Sequence, residues 1–167
     1  DIRFVQRFLI DNSIKGSMDI KGEYTKGNYV DRVYKEPELK PVYFEPELKL
    51  LSIDIETDSK AKEIYSISLF SKDYKKVLIN SGKKLKNAKS FPDEKSMLEF
   101  FKNKIFELDP DIITGWNVVD FDFDVIKNRF SEYDIQFNLG RTDETGMIRK
   151  YDSFFRDSIA KFTGRIV

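Results

Sequence analysis

The chain has 167 residues, 29 basic against 29 acidic, with neither cysteine nor histidine, which suits one domain or one domain with a small appendage. The charge balance excludes a chain-wide basic field for nucleic acid. The absent residue types exclude disulfides, thiolate or imidazole metal ligands and Ser-His-Asp chemistry.

Residues 1–47 read as a β-rich segment of short strands and turns. Phe4 to Ile10 is apolar-rich. Lys15-Gly16 and Lys21-Gly22 punctuate Ile14, Met18 and Ile20, and Gly27-Asn28 marks a turn. Pro37, Pro41 and Pro46 exclude a helix and disfavour a central strand, so 36–47 reads as a linker. The N-terminus does not resemble a signal peptide, and no apolar run reaches the ~18 residues of a membrane span.

Residues 48–167 read as an α/β unit. Leu48 to Glu56 is a strand with Leu51, Ile53 and Ile55 on one face and Ser52, Asp54 and Glu56 on the other. Ile64 to Phe70 and Tyr74 to Asn80 follow through short turns, which predicts an antiparallel meander. Next comes a lysine-rich loop carrying Lys83, Lys84, Lys86 and Lys89. The period then becomes helical at Met97, Leu98, Phe101, Ile105 and Leu108, ending at Asp109-Pro110. Ile112 to Thr114 is a short strand parallel to the first, and Gly115-Trp116-Asn117 is a turn. A second helix begins near Asp120 to Asp122 and carries Phe123, Ile126, Phe130 and Tyr133 as its stripe. Residues 136–141 suggest another strand, 142–163 are weakly patterned, and Gly164 to Val167 reads as the start of a strand. The result is a mixed sheet with flanking helices.

Two segments concentrate carboxylates. Asp54 and Glu56 share a strand face opposite a strongly apolar one. If that face is covered, two like charges need a cation, and a hard divalent ion suits oxygen donors; otherwise they are simply solvated. Asn117 to Asp122 lies where a parallel strand hands over to a helix, the edge at which α/β sheets collect ligands. Asp120 or Asp122 is either a site residue or a helix cap. Phe121 and Trp116 either shape a site or fill a core. The lysine loop either meets a phosphate backbone or is a solvated face.

In this order and spacing the two segments resemble the 3′–5′ proofreading exonuclease domain of family B DNA polymerases. That resemblance implies an RNase H-like fold over residues 48–167, preceded by the edge of an N-terminal domain. Asp54 and Glu56 match the first motif, D-x-E. Asn117, Phe121 and Asp122 match the second, N-x-x-x-[FY]-D. The string Asp109 to Val119, Leu139-Gly140-Arg141 and Gly164 to Val167 look most like the polymerase II branch.

By resemblance, Asp54 bridges two divalent ions, Mg²⁺ or Mn²⁺. Glu56 binds one and positions the water, Asp122 holds the other side, and Asn117 and Phe121 shape the terminal-nucleotide pocket. The implied partners are the single-stranded 3′ end of DNA and the rest of a polymerase chain, in the cytoplasm. The third motif, Y-x-x-x-D, matches none of the 8 tyrosines. The chain is therefore expected to stop before it, leaving a fragment with little or no activity alone. Two other readings stay open. One is a free-standing nuclease that recruits Asp152 or Asp157 as its fourth carboxylate; the other is a non-catalytic DNA-holding module.

Overall fold

The computed structural model describes residues 2–151 and 157–167. Two compact units divide the chain, Asp1–Glu47 and Leu48–Val167.

The first unit opens with a helix, α1 (Phe4–Asp11), where strands were expected. The signal for it is the i,i+4 ion pair of Arg7 and Asp11, 2.8 Å apart, a spacing that a helix brings together. Four short strands follow: β1 (Met18–Lys21), β2 (Tyr24–Thr25), β3 (Val33–Tyr34) and β4 (Glu38–Pro41). β1 pairs with β4 and β2 with β3, both antiparallel, so one hairpin nests inside the other. Part of the expected linker is therefore strand β4. A two-stranded ribbon has only edge strands, and these tolerate Pro41.

The second unit is a five-stranded sheet in the order β8-β7-β6-β5-β9. β5 (Leu50–Thr57), β6 (Ile64–Phe70) and β7 (Lys75–Asn80) form the expected antiparallel meander. β8 (Ala88–Phe91), which the pattern did not suggest, adds parallel to β7. β9 (Ile112–Thr114) lies parallel to β5, as expected.

Helices α2 (Glu94–Leu108) and α3 (Phe123–Glu132) pack on the apolar face. Leu51, Ile53, Ile55, Ile67, Leu69 and Leu78 of the sheet meet Met97, Leu98, Phe101 and Ile105 of α2 and Ile126 and Phe130 of α3 in one core. Asp93 caps α2 by accepting from the Ser96 N–H at 2.8 Å. Asp109 ends α2 in a left-handed conformation, φ 44°.

Residues 136–141 form no strand, although Phe137, Asn138 and Leu139 are buried. Their hydrogen bonds go to three separate places. Phe137 O accepts from the Gly146 N–H, Leu139 O accepts from Arg165, and the Arg141 N–H donates to Thr163 O. Scattered partners make no ladder. The weakly patterned tail holds a small antiparallel pair, β10 (Met147–Arg149) and β11 (Ile159–Lys161). Ile166 bridges to Ile112 in parallel, so the terminal residues do begin to pair beside β9. Among the described residues, no helix is long and apolar enough to cross a membrane.

Candidate active site

The site forms where β9 runs out beside β5. β9 pairs only with Leu50–Ser52, while β5 continues to Thr57. Beyond Ser52 that flank of β5 lacks a ladder partner, and its polar groups must be met in another way. The turn after β9 meets them. At Gly115 a Cβ would sit 2.4 Å from the backbone oxygen of Ile53, so only glycine admits this approach. Asn117 follows with φ 54°, a left-handed conformation that Asn tolerates. Val118–Asp122 then winds as one π-helical turn, closed by the Phe123 N–H donating to Val118 O. This turn delivers Asp122 to β5, where its Oδ1 accepts the Ile55 N–H at 3.1 Å.

Asp122 is 2% exposed. Burial pushes its carboxyl above the usual carboxylate range. Its own N–H and that of Ile55 pull it back, and the negative charge of Asp54 pushes it up again. Asp54 and Glu56 stand on one face of β5, and both are exposed. The sheet face that carries them is therefore open in this unit, and the two acids are solvated. Among the described residues, no Lys or Arg makes an ion pair with Asp54, Glu56 or Asp122.

The geometry also separates capping and core-filling roles from site roles. Asp122 makes no side-chain cap to α3, so the capping reading fails for it. Asp120 is exposed beside it. Trp116 is 91% exposed and Phe121 41%, so neither fills the core. The nearest N-terminal acid of α3, Asp124, pairs with Lys150 at 2.8 Å.

Of the tail carboxylates, Asp152 lies outside the described residues. Asp157 is exposed and lines an open cleft of about 370 Å³ with Asn117, Val118, Asp120 and Tyr151. Among the described residues, no three acidic side chains converge into a ready-made metal cage. The donor set still fits a hard divalent cation in kind. It is oxygen only, it places the charge of Asp54 beside a buried Asp122, and it has no basic partner.

The family model described as "DNA polymerase family B, exonuclease domain" matches residues 1–167. The chain belongs to this family. DNA polymerase II of Escherichia coli is 28% identical over 177 aligned residues, covering 100% of this chain and 22% of that protein. A DNA polymerase of Archaeoglobus fulgidus is 29% identical, covering 99% of this chain and 20% of its own length. The family B DNA polymerase structure from Pyrobaculum calidifontis superposes with a TM-score of 0.65 at 19% identity, over 99% of this chain and 21% of that one. The chain thus spans about a fifth of the length of these relatives.

Within this family B exonuclease domain, the strings that carried the finer resemblance build the frame. Arg141 donates to Asp109 and Asp111, each at 2.8 Å, and to Gly164 O at 2.9 Å. Arg165, whose side chain is 1% exposed, donates to Asp109 at 2.9 Å, to Leu139 O at 2.8 Å and to Pro110 O. Asp-Pro-Asp, Leu-Gly-Arg and Gly-Arg are therefore one ion-pair knot that pins the tail beside β9. The sequence singles these residues out but gives them no physical role. It also leaves Gly115 unmarked as the joint and the π turn unmarked as the lever. The one available signal was a glycine directly after an apolar strand.

Proposed function

We propose that this chain is the proofreading 3′–5′ exonuclease module of a polymerase II-like family B DNA polymerase, acting in the cytoplasm on single-stranded 3′ DNA ends. The observation that carries this reading is the exposed Asp54 set against a buried, raised and unpaired Asp122 where β9 leaves β5. Perturbed acids beside an open face mark sites at which charge is managed for chemistry.

Asp54, Glu56 and Asp122 would hold two divalent ions, Mg²⁺ or Mn²⁺. Such ions supply an activated water and charge stabilisation for the leaving 3′ oxygen. The protein's own part is positional. The Ile55 N–H fixes one oxygen of Asp122, so the carboxylate meets its ligand without reorganising. Glu56, exposed on the same strand face as Asp54, orients the attacking water. Asn117 and the half-exposed ring of Phe121 border the terminal nucleotide, where an aromatic face stacks on any base. The fourth carboxylate and the tyrosine of the third motif come from the remainder of the polymerase chain.

The test is 3′ trimming of a 5′-labelled oligonucleotide in Mn²⁺ by a polypeptide that carries this chain and a Y-x-x-x-D segment. Asp54→Ala is expected to cut the rate at least ~100-fold, since even outer-shell partners of metal ligands are worth 10–100-fold. Undiminished trimming by that variant overturns the assignment. A second reading has one observation in its favour: Asp157 lines the cleft beside Asn117 and Asp120, where a free-standing nuclease needs its fourth acid. Full-rate trimming by this chain alone, lost on Asp157→Ala, favours that reading instead.

A further inference from the structure

Two lysine-bearing loops leave the sheet at the edge reached by the carboxyl end of β5, on the side of β5 away from β9. β5 and β7 both run antiparallel to β6, so their carboxyl ends reach the same edge. The turn 58–63 leaves that edge from β5 with Lys60 and Lys62. The loop 81–87 leaves it from β7 with Lys83 and Lys84 near its start, and Lys84 lines a hollow shared with Phe91 and Pro92. Asn80 Nδ2 donates to Glu63 Oε1 at 2.9 Å and ties the two loops together. Two strand spacings, about 10 Å, separate β5 from β7.

The acids on this flank are already engaged. Asp58 accepts the N–H groups of Lys60, Lys62 and Glu63 at 3.1, 2.5 and 2.9 Å. Glu63 takes Asn80, and Asp93 caps α2. The loop 81–87 contains no acid at all. Lys60, Lys62, Lys83 and Lys84 are exposed, and among the described residues none has a carboxylate within ion-pairing distance. Along this edge the acids of β5 and the exposed lysines of the two loops thus stand near one another without ion pairs among the described residues.

We propose that Lys60, Lys62, Lys83 and Lys84 form a phosphate-binding rim that holds the single-stranded DNA leading to the 3′ end processed at Asp54, Glu56 and Asp122. This rests on the DNA-end reading above. Acids repel the phosphodiester backbone they must act on, so an adjoining row of cations keeps the strand in place. Lys62 shares its charge with Asp58, whose carboxyl it helps to hold low, and contributes less than the other three.

The test is binding of a fluorescent oligothymidylate to the full chain in chelator, so that no trimming occurs, across about 50–200 mM salt. The variant K60Q/K62Q/K83Q/K84Q is compared with K49Q/K72Q/K75Q/K76Q, which removes the same charge from the opposite edge of the sheet. Each phosphate contact to a single strand contributes ~0.7 to the slope of log affinity against log salt. The rim variant is expected to lose up to about 3 from that slope, while the opposite-edge variant keeps the wild-type slope, both being measured well below their melting temperatures. Equal losses in the two variants, or an unchanged slope in the rim variant, overturn the rim and leave the DNA-end reading standing. No binding by the wild-type chain also overturns the rim, while the DNA-end reading is decided by the trimming test on the polypeptide that carries the third motif.

Discussion

Glu94 and Asp122 are both buried carboxylates, 4% and 2% exposed, yet they are built in opposite ways. Glu94 accepts from the Ile64 N–H at 2.9 Å, from two nitrogens of Arg129 at 2.9 and 2.8 Å, and from the Tyr133 hydroxyl at 3.0 Å. It ties β6 and the start of α2 to α3. Asp122 receives backbone N–H groups and faces the charge of Asp54. A saturated acid is a fastening, while an undersaturated one is held ready for something outside the fold. Asp109, shared by Arg141 and Arg165, and Asp111, which takes Arg141 and the Lys49 N–H, are likewise engaged as Glu94 is.

The sharpest way to break this contrast is to remove the fastening. Glu94→Ala leaves the largely covered Arg129, its side chain 14% exposed, with only Tyr133, and breaking a buried pair costs ~3–5 kcal/mol. Urea unfolding checks this; a loss below ~1 kcal/mol would erase the distinction.

The next test exchanges the undersaturated acid. Asp122→Asn keeps an acceptor for the Ile55 N–H but removes the charge. Trimming is expected to fall at least ~100-fold. Stability should move the other way. A carboxyl raised in the fold binds its proton more tightly there than in the unfolded chain, so stability falls as pH rises above about 4. The Asn variant escapes that loss, melting above wild type at pH 7 and level with it well below pH 4. Asp109 runs the opposite course. Arg141 holds its carboxyl below the usual range, so its contribution is present at neutral pH and lost in acid. A lower melting temperature for Asp122→Asn at pH 7 would place Asp122 with the fastenings.

The smallest effect concerns a simple cap. Asp93→Ala is expected to cost ~1 kcal/mol in urea unfolding and to leave trimming per folded molecule unchanged.

Periodicity made much of this legible in the sequence. Alternation along β5 put Asp54 and Glu56 on one face and Leu51, Ile53 and Ile55 on the other, as the burial pattern has it. The stripe of α2 and the parallel placement of β9 were equally readable. What stayed illegible depends on distant partners. β8 has four residues and is defined by its pairing with β7. In residues 136–141 Phe137 and Leu139 alternate with polar Gln136 and Asn138, as in a strand, but their hydrogen bonds scatter. The exposure of Asp54 and Glu56 hinged on which sheet face the helices cover, which alternation alone leaves undecided.

The π turn at Val118–Asp122 makes chain length part of the chemistry. Its hydrogen bond from Phe123 spans one residue more than an α-helical bond. Deleting any residue of the turn would let it relax to regular helix, rotating α3 by about 100° about its own axis. Asp122 would then swing off the Ile55 N–H while the core stripe of α3 lost its register. Insertions and deletions, which surface loops absorb with little effect, are therefore expected to be barred from these five residues.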